Sequence, residues 1–293
     1  FMPFRDQIAS DIVAHLSCRR VEISSQAELI EIADLKSLLA QNAPALRLIH
    51  VADPKVFIQA HIPGAICVAP AELVSGIPPA AGKLPDSDRV NALFSRLGYT
   101  EDVEFVLYDD EGGGWAGRFA WTLDVIGHRR WRYLNGGLHA WAAAGGELAA
   151  GDGFHPDETD VTVTIDGGPI ASLDAVRAAI DDPEQLIWDV RSREEYLGLR
   201  SGSARSGHIP GAVNVDWLEL QDPARDRRLR EDLGALLAER NVDLSKRIIT
   251  HCQSHHRSGL SYMAARLLGC QSVRAYDGSW SEWGNLEDTP IST

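Results

Sequence analysis

The sequence predicts an α/β protein made of two similar domains, each a mainly parallel sheet with helices on both faces. The 293 residues exceed what most single hydrophobic cores contain. The five-residue sequence HIPGA occurs twice, at residues 61–65 and 208–212. Short apolar strands alternate with helical patterns in both halves, which is typical of parallel sheets covered on both sides.

The repetition extends beyond this one motif. Residues 136–141 (GGLHAW) correspond to residues 278–283 (GSWSEW), in the same order and at nearly the same spacing. Two ordered matches indicate a duplicated domain, since chance repetition is improbable. We assign residues 1–26 to an N-terminal extension, 27–150 to a first domain, 151–169 to a linker within a Gly-, Ala-, Asp- and Pro-rich stretch, and 170–293 to a second domain.

The first domain is predicted to alternate strands and helices from its start. The expected elements are a strand near Leu29, a helix over 33–39, a buried strand at 46–51, the HIPGA loop with a short strand after it, an apolar strand at 105–108, a helix over 118–126 ended by Gly127, and a strand-like segment at 131–134 before a Gly-Gly turn.

The second domain repeats this order with one insertion. Its expected elements are a helix after Ser172 as N-cap, a strand at 186–190, the second HIPGA loop, a charged helix from about 225 to 240, an apolar strand at 247–250 and a helix over 260–268. Twelve positions separate Tyr196 from His208, whereas four separate Phe57 from His61. The extra Gly- and Ser-rich residues predict a surface excursion.

Composition excludes several classes of partner. The net charge of −14 argues against nucleic acid, whose phosphates require a basic face. The sequence contains no apolar run of membrane length and no signal-like segment near its start. Four cysteines without framework spacing favour a reducing compartment. We therefore expect a monomeric cytoplasmic protein that binds neither nucleic acid nor membranes.

The most informative residue is Cys252, which follows an apolar strand and precedes a helical pattern. The residues between must bend tightly, so that their N–H groups converge near the thiol. A helix N-terminus offers unpaired N–H donors and a partial positive charge, and Arg257 adds a full charge. An ordinary cysteine is only about 3% thiolate at pH 7, and a pKa about two units lower makes it mostly thiolate. The pattern therefore predicts a nucleophilic Cys252.

The alternative is that Cys252 is an inert core thiol, as free cysteines usually are. Residues 253–257 are all polar or basic, which disfavours an apolar surrounding. Cys67 and Cys270 lie in apolar contexts without activating charges and are interpreted as packing residues. Cys18, before two arginines, is a weak reactive candidate.

Two other chemistries are possible for the Cys252 loop. A zinc site would need four ligands from residues 251–256 to face one tetrahedral centre, and the sequence contains no second ligand cluster; we expect no metal and no cofactor. Adjacent side chains diverge, so one of His255 and His256 is expected to face the pocket. A cysteine phosphatase is the other alternative, but the interval to Arg257 is one residue shorter than in those enzymes. The smaller loop suits one sulfur atom better than a phosphate.

The first copy lacks the nucleophile. Alignment of the two copies places Asp109 at the position of Cys252, and the following loop, residues 110–118, is acidic and Gly-rich. Such a loop would repel an anion. A metal site at Asp109, Asp110 and Glu111 is an alternative, but oxygen-ligand sites usually need more converging groups. We expect the first domain to be a non-catalytic partner that helps to form the cleft.

These motifs resemble those of the tandem-domain rhodaneses, the thiosulfate sulfurtransferases, over roughly residues 27–290. The Cys252 loop is similar to the bacterial form Cys-Gln-Thr-His-His-Arg-Ser, with Ser254 in place of the Thr. Residues 57–68 match one family signature and residues 273–283 the C-terminal signature. The resemblance implies two rhodanese-like domains, of which only the second is catalytic, with Cys252 cycling between thiol and persulfide.

The resemblance also implies supporting roles. Asp189 and Arg191 match the family's Asp-x-Arg at a strand end, where the charges would brace the active loop, and Trp280 belongs to the C-terminal signature. Glu195 stands where some eukaryotic-type relatives carry Arg, and His50 where relatives commonly carry Asp in the inactive copy. The expected substrate-binding residues are Gln253, Ser254, His255, His256, Arg257 and Ser258.

The expected reaction is transfer of the outer sulfur of thiosulfate to cyanide or a small thiol. Sulfurtransferases that act on 3-mercaptopyruvate typically carry small neutral loop residues, so the basic loop here makes that donor the second choice. A persulfide carrier that delivers sulfur to a protein acceptor is the remaining alternative.

Overall fold

The computed structural model describes residues 28–41 and 43–293; the predicted extension 1–26 and Cys18 lie outside the described residues. In the first domain five parallel strands are ordered β1-β5-β4-β2-β3. Its elements are β1 (Glu28–Ile30), α1 (Ile32–Ala40), β2 (Leu46–Val51), α2 (Pro54–Phe57), β3 (Ala65–Val68), α3 (Ser87–Arg96), β4 (Glu104–Asp109), α4 (Gly114–Val125), β5 (Trp131–Leu134) and α5 (Gly137–Ala143).

The second domain has a four-stranded parallel sheet, ordered β11-β10-β6-β7, and a small antiparallel pair of β8 and β9. Its elements are α6 (Leu173–Ala179), β6 (Gln185–Asp189), α7 (Arg193–Tyr196), β7 (Val213–Asn214), β8 (Gln221–Asp222), β9 (Arg228–Leu229), α8 (Leu233–Glu239), β10 (Arg247–His251), α9 (Arg257–Leu267), β11 (Val273–Ala275) and α10 (Ser279–Trp283). The predicted α/β class with parallel sheets is confirmed.

Alternate residues of the central strands enter different cores. In β4, Phe105 and Leu107 face a core shared by both domains, while Val106 and Tyr108 face an outer core. Successive side chains of a strand point to opposite faces, so two apolar faces need a layer of helices on each side. Ile248 and Ile249 of β10 divide in the same way between the shared core and a third core.

The two HIPGA loops have the same local structure. His61 lies over the ring of Phe57, with centroids 4.0 Å apart, and its Nδ1 is 2.9 Å from the Phe57 carbonyl. His208 lies over Tyr196 at 3.7 Å, with its Nδ1 2.8 Å from the Tyr196 carbonyl. The insertion in the second domain therefore leaves this contact intact and loops out between its two ends.

The predicted charged helix from 225 to 240 is wrong over its first half. Asp226 and Arg227 have positive φ angles of 55° and 61°, and the chain then forms β9 before α8 begins at Leu233. The Leu229 N–H donates to Asn135 Oδ1 of the first domain at 2.9 Å. Contacts with the other domain thus override the helix propensity of the local sequence.

The two domains meet along α4 and α9, the helices that follow the two aligned loops. Gly117 of α4 packs directly against the backbone of Gly259 in α9. The buried Asp124 carboxylate joins the helices, because it accepts from the Tyr262 hydroxyl at 2.7 Å and lies 3.2 Å from Arg266 Nε. Close approach of the helices therefore depends on glycine at the crossing.

Gly259→Ala is expected to destabilise the protein and lower its activity. A Cβ at this position would lie 2.5 Å from the Arg118 nitrogen and the Gly114 oxygen, which are backbone atoms that cannot rotate away. Overpacking of this kind typically costs about 1–3 kcal/mol. Chemical denaturation measures the loss, with Gly234→Ala in α8 as control, because a Cβ there meets no atom within 4 Å. Equal unfolding midpoints for the two variants would contradict the prediction.

Candidate active site

Cys252 directly follows β10, and only residues 253–256 separate it from α9. The helix starts at Arg257, earlier than its apolar pattern indicated, so the predicted bend is shorter and tighter. His255 reverses the chain with a φ of +54°. The Cys252 side chain is 1% exposed, so its immediate neighbours decide its chemistry.

Several donors converge on the Cys252 sulfur. Ser258 Oγ lies 3.5 Å from Sγ, and the backbone N–H groups of Ser254 and Ser258 also lower the pKa of the thiol. Burial is the largest single influence and raises the pKa of the thiol, but the charge of Arg257 and these donors together outweigh it. The net result is a pKa below the ordinary value, which favours the thiolate.

The other described cysteines have the opposite environment. Burial and the nearby Glu72 carboxylate raise the pKa of Cys67 to about 11, and burial raises the pKa of Cys270. Both thiols are therefore protonated at neutral pH, in agreement with their interpretation as packing residues.

His255 faces inward and holds Ser258. Its ring is fully buried, with Nδ1 2.8 Å from Ser258 Oγ and its edge against the face of Trp121, 4.6 Å between centroids. Burial and the nearby Arg118 lower the pKa of His255 well below its usual value, so the ring is neutral. A thiolate can only accept, so Ser258 donates its proton to Cys252 and accepts from Nδ1–H of His255.

His256 faces the rim of the site, where it contacts the first domain. Its Nε2 lies 2.9 Å from Glu111 Oε2, at ion-pair distance but without the alignment of a hydrogen bond. The ring stacks on Trp115, with centroids 4.4 Å apart. The two adjacent histidines therefore diverge, His255 toward Ser258 and the buried Trp121, and His256 toward the rim.

Arg257 is the first residue of α9, and Glu195 of α7 holds its side chain. The two terminal nitrogens of the guanidinium lie 2.6 and 3.0 Å from the two oxygens of the Glu195 carboxylate. Burial lowers the pKa of Arg257, but the Glu195 bond and the charges of Cys252 and Glu195 outweigh it and raise the pKa overall. Arg257 is therefore charged and acts on the Cys252 thiol, yet it is already paired with Glu195.

Gln253 and Ser254 of the active loop contact two segments that are distant in the sequence, the insertion of the second domain and a segment of the first domain. Gln253 Nε2 donates to Ser203 Oγ at 3.1 Å, and Ser203 Oγ donates to the Trp280 carbonyl at 3.0 Å. The inserted Gly- and Ser-rich segment thus packs against the active loop. Gly82 of the first domain packs against the backbone of Ser254, where any Cβ on Gly82 would overlap the Ser254 carbonyl.

Asp189, Arg191 and Trp280 form one buried unit behind the loop. The Asp189 carboxylate accepts from Arg191 Nε at 3.0 Å and from Nη2 at 2.6 Å, and all three side chains are buried. The Arg191 guanidinium stacks on Trp280 at 4.4 Å. The backbone N–H of Trp280 donates to the Cys252 carbonyl at 3.0 Å, so this unit reaches the backbone of the loop.

In the first domain, the Asp109 side chain accepts the hydrogen bonds of the loop that aligns with the Cys252 loop. Asp109 Oδ1 accepts from the N–H groups of Gly112 at 3.0 Å and Gly113 at 2.7 Å, and Oδ2 accepts from Ala116 N–H at 3.0 Å. Gly112 and Gly113 both have a φ of +100°, which only glycine adopts readily. The amide cradle is therefore retained, but its donors are already used.

Sequence reasoning missed the contacts that cross between segments. Glu111 and Gly82 come from the first domain and carry no local signal in the sequence. Ser203 lies in the insertion, whose length was the one available clue. The sequence showed only that Glu195 replaces an arginine of some relatives, and it did not predict that Glu195 pairs with Arg257.

The described residues contain neither a metal-binding cluster nor a membrane-spanning helix. Among residues 28–41 and 43–293, no group of three or more His, Cys, Asp or Glu side chains is arranged to hold a metal ion. Within the same ranges, no helix combines the length and the apolarity that crossing a bilayer requires.

The fold and the site define a class of α/β proteins with a duplicated domain and one cysteine-bearing loop before a helix. Residues 31–144 and 172–286 each match the family described as Rhodanese-like domain. The chain belongs to the rhodanese family.

Known proteins of similar sequence and structure support this assignment. The chain is 44% identical to a thiosulfate sulfurtransferase of Azotobacter vinelandii, over 92% of this chain and 98% of that protein. It is 43% identical to a thiosulfate sulfurtransferase of Pseudomonas aeruginosa, over 90% and 96% of the two chains. The crystal structure of the anaerobic ergothioneine biosynthesis enzyme from Chlorobium limicola superposes with a TM-score of 0.81 at 22% identity, over 94% of this chain and 71% of that chain. This last likeness concerns the fold alone.

Proposed function

We propose that this protein is a sulfurtransferase that moves the outer sulfur of thiosulfate to cyanide or a small thiol through a persulfide on Cys252. The observation that carries the proposal is the buried Cys252 thiol in the loop before α9, which has the Ser258 hydroxyl 3.5 Å from its sulfur and a lowered pKa. The similarity to two thiosulfate sulfurtransferases supports thiosulfate as the donor.

In the first half-reaction, the Cys252 thiolate attacks the outer sulfur of thiosulfate. A sulfur–sulfur bond to Cys252 forms while the sulfur–sulfur bond of thiosulfate breaks, and sulfite leaves with the bonding electron pair. The charge of Arg257 acts on the Cys252 thiol, and its guanidinium is suited to bind the sulfonate. The loop N–H groups that stabilise the thiolate would then stabilise the terminal sulfur of the persulfide.

In the second half-reaction, the acceptor attacks the outer sulfur of the persulfide. With cyanide a carbon–sulfur bond forms and thiocyanate leaves, while the electron pair of the broken sulfur–sulfur bond returns to Cys252 as thiolate. The first domain has no equivalent nucleophile, because Asp109 fills its amide cradle. It serves as a partner whose Gly82 and Glu111 contact the active loop. A monomeric state and a cytoplasmic location remain predictions from the sequence.

Steady-state turnover on two donors tests this proposal. With cyanide as acceptor, we expect a higher kcat/KM for thiosulfate than for 3-mercaptopyruvate, because the loop is rich in polar and basic donors. Intact-mass spectrometry after thiosulfate treatment should show the chain heavier by one sulfur atom, located on Cys252. A clear preference for 3-mercaptopyruvate would make the donor assignment wrong, and modification elsewhere would make the assignment of Cys252 wrong.

A further inference from the structure

The Glu195–Arg257 pair is an unusual feature of a site that has to bind an anion. Glu195 is 4% exposed, and its two oxygens engage the two terminal nitrogens of Arg257 at 2.6 and 3.0 Å. Burial raises the pKa of the Glu195 carboxyl, but its hydrogen bond to Arg257 and the charge of that residue outweigh burial and lower the pKa overall. The carboxyl is therefore ionised at neutral pH.

This pairing uses the part of Arg257 that an anionic donor needs. Arginine recognises planar or trigonal oxyanions through two parallel N–H groups, and the Glu195 carboxylate occupies such a pair. Arg191 is likewise already paired, because the Asp189 carboxylate balances its charge. A buried carboxylate thus pairs with each of these two arginines. The site therefore offers an anionic sulfur donor less positive charge than its sequence indicates.

The Cys252 sulfur is buried, whereas the Arg257 side chain is partly exposed. The Cys252 side chain is 1% exposed, so a donor reaches it only when a neighbouring side chain moves. The Arg257 side chain is 19% exposed. Among the described residues, Glu195 is the only carboxylate that forms an ion pair with it, and this pair connects the loop to α7. Breaking this pair would free the guanidinium for the donor.

We propose that Glu195 is a specificity-determining residue that competes with the anionic sulfur donor for Arg257. The donor must displace the Glu195 carboxylate before its sulfonate binds the guanidinium, and this exchange sets the affinity for the donor. The inference rests on the proposed function, in which Arg257 binds the donor.

A purely structural role for Glu195 makes a different prediction. Glu195 Oε2 also accepts from the Ser192 N–H at 3.2 Å and completes a capping box at the start of α7. Glutamine supports a capping box equally well, so Glu195→Gln keeps the cap while it removes the charge and replaces one of the two acceptors of Arg257 by an amide NH2 group. If Glu195 merely braced the helix, this substitution would leave the affinity for anions unchanged.

The test compares Glu195→Gln with Glu194→Gln, a neighbour on the same helix that makes the same change in net charge without contacting Arg257. For turnover of thiosulfate with cyanide, we expect the KM for thiosulfate to fall about tenfold in Glu195→Gln, since one charge-assisted contact becomes available. The value of kcat should change little, because the gain affects bound donor and transition state alike. Glu194→Gln should behave as the wild type.

Equilibrium binding separates this inference from the proposed function. Calorimetry with thiosulfate and with sulfate, in a Cys252→Ser background that cannot react, should show tighter binding after Glu195→Gln. Adding Arg257→Ala should remove that gain. Unchanged or weaker binding in the Glu195→Gln variant overturns the role of Glu195, whether or not the wild type turns over thiosulfate. Absent turnover by the wild type would instead overturn the proposed function.

Discussion

Cys252→Ser is expected to abolish sulfur transfer from thiosulfate while the fold is retained. Serine has nearly the same shape, and it keeps the contacts with Ser258 and with the loop N–H groups. Its oxygen cannot form the persulfide, and it is not ionised at neutral pH, so both halves of the proposed reaction are lost. Thiocyanate formation in a steady-state assay should fall to the rate without protein.

The control is Cys67→Ser, which alters a thiol of the first domain whose pKa is raised to about 11 by burial and by Glu72. This variant should keep the wild-type turnover, because Cys67 is protonated at neutral pH and lies in the domain without the active loop. Circular dichroism and denaturation midpoints confirm that both variants are folded. Substantial turnover by Cys252→Ser would place the nucleophile elsewhere.

The sequence was sufficient to predict the fold because its signals are local and repeated. Two HIPGA loops in equivalent positions indicated duplication, and the alternation of apolar strands with helical patterns indicated parallel sheets. The junction of strand, polar loop and helix at Cys252 predicted converging N–H donors, and the backbone groups of Ser254 and Ser258 lower the pKa of the Cys252 thiol. Patterns of this kind depend on neighbours along the chain, which a sequence displays directly.

The contacts that complete the site are not local, and sequence reasoning could not supply them. The two residues joined by the Arg257–Glu195 pair are 62 positions apart, and Glu111 reaches His256 from the other domain. The first half of the helix predicted over 225–240 was wrong for the same reason, because Asn135 of the first domain holds Leu229 of β9. Likewise, the sequence of the first loop indicated repulsion of anions, but not that Asp109 fills the amide cradle.

Asp189→Ala is expected to cause a large loss of stability. Asp189 and Arg191 are both fully buried, and the carboxylate accepts from the Arg191 backbone N–H at 3.0 Å as well as from its guanidinium. Removing the carboxylate leaves a buried guanidinium without its counter-charge, which typically costs about 3–5 kcal/mol. The free energy of unfolding from urea titrations measures this loss.

The same substitution should impair the active loop, because Arg191 stacks on the ring of Trp280, and the backbone N–H of Trp280 donates to the Cys252 carbonyl. Asp182→Ala is the matched control, since its carboxylate pairs with Arg247 at the surface, where ion pairs contribute little. If the uncompensated charge is the cause, Asp189→Ala combined with Arg191→Met should be more stable than Asp189→Ala alone. A double variant that is less stable than the single one would show that Arg191 acts mainly through its contacts with Trp280 and the Gly207 carbonyl, not through its charge.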